Sequence, residues 1–217
     1  MKNNMLFILL IFISTKVFSQ DLPPKEKEVF DEIAYHRIKV GEYEKIHKWV
    51  IPIYYKIVGD SSKYIVEEID STFSQLRKLT KLDIRKSNDD DEVNFVINLS
   101  SNGEIPPALS TILKKYMESY GGYTYRANKN SELYRVESLF VLSKYSNKAD
   151  ARHAVKKGII RGMGFFKRTK NAPNSLFYDA GNRKLKLDAF DSAIIAAFYE
   201  DKIKPGMTKD EVDEVFK

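Results

Sequence analysis

His153, Lys157 and Arg161 follow one another at intervals of four residues. On a helix, positions i, i+4 and i+8 share a face, so an imidazole, an ammonium and a guanidinium would form one row. Lysine and arginine present N–H donors only, and arginine keeps its proton in a protein. Such a row suits a carboxylate or a phosphate, or else is a solvated basic face. Other chemistries find little to work with. The histidines are His36, His47 and His153, and no two stand at metal-ligand spacing. The chain has no cysteine, so it has neither a thiol nucleophile nor a disulfide. Ser175 has no recognisable base near it in sequence. Asp89, Asp90, Asp91 and Glu92 are adjacent, whereas a calcium loop of the EF-hand type alternates its ligands around a glycine; these acids read as a solvated turn.

The row needs a helix to hold it. The segment ADARHAVKKGIIRGMG predicts one from Ala149 to Met163, with Val155, Ile159 and Met163 facing a core and Gly164 closing it. Upstream, Lys25 to Ile38 reads as a helix that packs as a flap or stays a loose leader. Trp49 to Val58 reads as a first strand, in which Pro52 implies a missing ladder partner on one side. A long helix from Ser62 to Leu79 carries the stripe Ile65, Ile69, Phe73, Leu76 and Leu79. Short strands follow at Leu82–Arg85 and Val93–Leu99, then a helical piece near Leu109–Tyr116. Gly121-Gly122 reads as a turn before a hairpin of Tyr123–Arg126 and Leu133–Ser143. Tyr116, Tyr120, Tyr123 and Tyr125 are either a stacking surface or cross-strand pairs. Asp188 is placed to cap a helix through Phe198, and Thr208 with Glu211 forms a capping box for a last one.

The chain opens on Lys2 and the apolar run Met5–Ile13, too short to span a bilayer, followed by Val17 and Ser19. We read residues 1–19 as a signal peptide cleaved near Ser19/Gln20, which makes the protein secreted or periplasmic, with no membrane span afterwards. The formal net charge of +6 falls to +4 when Lys2 and Lys16 leave, too mild an excess to mark a nucleic-acid partner. Residues 20–47 then form a leader or helix, and 48–217 a single domain.

Leu187-Asp188-Ala189-Phe190-Asp191, with Ile194, Ile195, Phe198 and Tyr199, resembles the C-terminal helix of metzincin-like zinc peptidases. Ser175-Leu176-Phe177 resembles the turn beneath their metal, and Ile203–Met207 looks like the tail of a secreted bacterial zincin-like family of unknown function. The strand, long helix and strand of the first half match the order of a zincin. The resemblance implies an α+β fold with a small mixed twisted sheet, a long backing helix, a degenerate active-site helix and a C-terminal helix. Aligned on Gly164, Lys157 and Arg161 fall where an active member has the two histidines of H-E-x-x-H. Gly158 falls at its glutamate and Lys167 at its third ligand. Protonated side chains there repel a dication, and glycine cannot serve as a base.

The expectation is therefore a secreted, catalytically inactive peptidase homologue without a cofactor. His153, Lys157, Arg161 and Lys167 would line the former cleft and hold an anion, a peptide or a protein. A hydrolase with a non-standard centre and an envelope structural protein are the alternatives.

Overall fold

The computed structural model describes residues 22–37, 40–60, 62–107, 109–180 and 184–216. The signal-peptide reading of residues 1–19 lies outside them. Along the chain the elements are α1 (Pro24–Ile33), β1 (Tyr35–His36), β2 (Lys45–Ile46), β3 (Lys48–Trp49), β4 (Ile53–Gly59), α2 (Lys63–Thr80), β5 (Ile84–Lys86) and β6 (Phe95–Ser100). Then come α3 (Thr111–Lys114), β7 (Gly121–Ala127), β8 (Glu132–Val141), α4 (Lys148–Gly162), α5 (Ala189–Phe198) and α6 (Lys209–Val215). The fold is α+β. Its main sheet runs β5-β4-β6-β8 in parallel, β3 extends β8 in parallel, and β7 lies antiparallel on the far side of β8.

One face of this sheet carries the principal core. Ile65, Ile69, Phe73 and Leu76, four of the five stripe residues read for α2, are fully buried against it, together with Val155, Ile159 and Ile160 of α4. Leu139 and Val141 point to the other face, where they pack with Leu109 and Leu113 beneath α3. The alternation along β8 is what lets one strand serve two layers.

Three boundaries differ from the sequence reading, each for a physical reason. The N-terminal helix stops at Ile33 instead of running on to Ile38, because Tyr35 and His36 pair with Ile46 and Lys45. It is packed, with Val29, Phe30 and Ile33 in the core. The first strand is broken: Trp49 pairs with β8, whereas Ile53 begins a strand flanked by β5 and β6, and Pro52 sits in the gap. The Pro52 carbonyl accepts from Asn94 Nδ2 at 2.8 Å, so the break is tied down. Gly121 and Gly122 open β7 and do not turn; the turn lies at 128–131. A side chain at Gly121 would meet the Leu139 carbonyl oxygen at 2.0 Å, so only glycine fits this start of the strand.

The helix carrying the cationic row is seated with unusual closeness. A Cβ at Gly158 would come within 2.4 Å of Phe140 Cζ, and one at Gly162 within 2.5 Å of Phe95 Cζ. These glycines let α4 lie directly on rings from the sheet. Alanine at position 158 gains about 1 kcal/mol of helix propensity but must push Phe140 aside. We expect Gly158→Ala to lower stability by about 1–2 kcal/mol net, within the usual cost of overpacking, in urea unfolding. The far end of α4 is capped by side chains from elsewhere. Trp49 Nε1 donates to the Gly162 carbonyl at 2.9 Å, and the Tyr199 hydroxyl to the Met163 carbonyl at 2.7 Å. Those carbonyls have no partner within the helix, so the two rings satisfy what the helix end leaves open. Gly164 then leaves with φ +112°.

Candidate functional site

Between β7 and α4 lies a groove of about 720 Å³. Its floor is Phe140, Ala154 and Gly158; Tyr120, Tyr123 and Tyr145 form one wall. His153, Lys157 and Arg161 line it from α4, joined by Arg168 and Asp179 from the loop that follows. The helical row therefore opens into a cavity.

Each cation has a fixed posture. Arg161 lies 4.4 Å from the centre of the Tyr123 ring, and its Nη2 donates to the Tyr123 hydroxyl at 2.6 Å and the Phe166 carbonyl at 3.2 Å. Its Nε is buried and has no hydrogen-bond partner among the described residues. Lys157 Nζ donates to the Tyr178 carbonyl. Burial, reinforced by the neighbouring Arg168 and Arg161, pulls the Lys157 amine down to about 8. It remains cationic at neutral pH. His153 Nδ1 lies 2.7 Å from the Lys184 carbonyl; a carbonyl only accepts, so this nitrogen carries the proton. Burial lowers the His153 pKa below its ordinary value, which leaves the ring neutral at pH 7. Arg168 is paired with Asp179 at 2.8 Å. Three cations thus face one acid, and the groove is positive.

Lys167 is not part of this arrangement. Its Nζ is bound to Glu44 Oε2 at 2.6 Å, and it does not line the groove. The motif alignment beyond Gly164 places Lys167 in the cleft, but the chain after that glycine turns its ammonium to Glu44 instead. The tyrosines also differ from the cross-strand reading. Tyr123 and Tyr125 stand two apart on β7, stacked at 6.3 Å, and Tyr125 lies 3.9 Å from the Phe166 ring. Phe166 comes from the loop after α4, a contact that no strand pattern foretells.

The donor set does not suit a zinc ion. Lys157 and Arg161 contribute N–H groups, and the only ring nitrogen of His153 with a lone pair is buried. Among the described residues there is no group of three or more His, Asp or Glu side chains that could hold a metal. At Gly158 the Phe140 ring fills the space that a glutamate side chain would need.

A family model described as Protein of unknown function (DUF2927) matches residues 26–217. The chain belongs to this family. No curated protein matches it. Because the DUF2927 match begins at Glu26, it takes in all but the first two residues of α1 and the β1–β2 pair as well as the main sheet, in keeping with their shared core. No described helix of this DUF2927 chain is long and apolar enough to cross a membrane.

This DUF2927 domain is also braced by an acid that in the sequence figures only in the resemblance to a C-terminal helix. Asp191 is fully buried on α5; its carboxylate accepts from Ser175 Oγ at 2.6 Å and from the Leu176 amide, and pairs with Lys184 at 2.7 Å. It thereby ties the Ser175–Phe177 turn, α5 and the chain leading to α5 into one unit, while Asp188 caps the helix as expected.

Proposed function

We propose that this chain is an exported, catalytically silent relative of the zinc peptidases that binds extended peptide in the groove beside β7. The observation that carries the reading is the meeting of Lys157 and Arg161 in a cavity at the place where the resemblance would put two metal-binding histidines. Three further features support it. The antiparallel strand β7 pairs with β8 alone among the described residues, which leaves its other edge without a strand partner, the kind of edge to which a peptide strand adds. The buried Asp191 holds the Ser175–Phe177 turn that resembles the one beneath the metal of the zinc peptidases. The apolar run Met5–Ile13 supports export.

Two measurements test the reading. Metal analysis of the purified protein, and its melting temperature with added zinc, should give no stoichiometric zinc and no stabilisation; a ligand that bound the native state at 100 times its Kd would add about 2.7 kcal/mol. Immobilised random hexapeptides should retain the protein and be recovered uncleaved. Cleavage, or a bound zinc ion, would restore a hydrolase.

A further inference from the structure

We infer that the groove receives the free C-terminal carboxylate of a polypeptide whose last residues lie antiparallel to β7; the inference rests on the peptide-binding reading above and narrows it. The groove is not spread along the whole edge strand. It is lined by Tyr120, by Gly121, Gly122 and Tyr123 at the beginning of β7 and by their β8 neighbours Ser138, Leu139 and Phe140, and not by Tyr125, Arg126 or Ala127. A strand added antiparallel to β7 ends beside its beginning, so the last residue of such a peptide arrives at the groove. A strand added in parallel would bring its ammonium group there.

Charge separates the two. Lys157, Arg161 and Arg168 repel an ammonium and attract a carboxylate. The donors are also of the right kind. Lys157 Nζ has three protons and directs one to the Tyr178 carbonyl, which leaves two for an incoming oxygen. Asp179, held beside Arg168, discriminates against a doubly charged phosphate more than against a single carboxylate. The floor of Phe140 with Tyr145 at the wall offers the last side chain an apolar seat, so an aromatic or aliphatic final residue fits best.

The test uses the full chain and random hexapeptides attached through their N-termini, presented as free acids or as C-terminal amides. Retention on the acids should exceed that on the amides at least tenfold. Lys157→Met should abolish most of that preference without lowering the melting temperature. Should that variant unfold, Arg168→Gln, on an exposed side chain, should reduce the preference instead. Equal retention of acids and amides would overturn the inference and leave a peptide groove that ignores chain ends. Displacement by inorganic phosphate at concentrations where acetate does nothing would also overturn it, in favour of a general anion site. If neither pool is retained, the peptide-binding reading falls with it.

Discussion

Lys156→Met is expected to lower the unfolding free energy by about 3–5 kcal/mol, the usual cost of stripping one partner from a buried ion pair. Lys156 and Glu68 are each only 2% exposed at the side chain, and their charged atoms are 3.0 Å apart. Glu68 also meets Arg152 at 2.8 Å, and the Thr72 hydroxyl bonds the Glu68 carbonyl at 2.7 Å. The pair joins α2 to α4, so it sets how the cationic helix sits against the backing helix. Removing the lysine leaves a carboxylate in the core with only the half-exposed Arg152 to answer it. Removing both charges leaves none. Glu68→Met combined with Lys156→Met should therefore recover most of the loss, because two apolar side chains leave no buried charge to compensate. Urea unfolding of the two single variants and the double variant gives the cycle. A double variant as unstable as the sum of the singles would mean that the ion pair is not what couples the helices.

The pair also marks a limit of reading a sequence by periodicity. Glu68 flanks the buried face of α2 and Lys156 lies between Ile159 and Ile160 on that of α4, and nothing within either helix says that the two meet. Only the crossing of α2 over α4 brings them together. What local spacing could establish held well: the extents of α2 and α4, the Asp188 cap, the Thr208–Glu211 capping box and the row of His153, Lys157 and Arg161 on one face. Each depends on contacts within about four residues. The misread places needed partners from far along the chain. Gly121-Gly122 resembles a turn until Leu139 is laid against it. Trp49–Val58 reads as one strand because Val50 and Ile51 are apolar, although both are exposed in the break. Arg168 and Asp179 reach the groove from a loop that has no period to read. The helical glycines Gly158 and Gly162 are a middle case: a glycine costs about 1 kcal/mol inside a helix, which fits a close approach or a loss of selection equally well, and only the Phe140 and Phe95 rings decide for the first.

The second large effect concerns the groove. Affinity for a peptide acid should fall about 100-fold in Lys157→Glu, since the change removes one attractive charge and adds a repulsive one beside Arg161; a factor of 100 corresponds to about 2.7 kcal/mol. The pH dependence checks the same residue without a mutation. The Lys157 amine titrates near 8 in the free protein, pulled down by burial and by Arg168 and Arg161. A bound carboxylate favours the charged amine and raises that value. The proton is thus taken up on binding, so affinity is constant below the free-state pKa and declines as pH climbs through 8. Stability of the unliganded protein should move the other way. With the folded pKa below the unfolded value of 10.5, the unfolded chain holds more protons between about 8 and 10.5, and stability rises with pH across that window. Lys48, whose Nζ is buried against the Phe198, Glu200 and Ile203 carbonyls at the end of α5 and is likewise lowered to about 8, adds to this rise but not to the loss of affinity. Lys157→Arg keeps the charge and should flatten the binding profile while leaving the Lys48 share of the stability profile in place. An affinity profile that stayed level through pH 9 in the parent protein would remove Lys157 from the site.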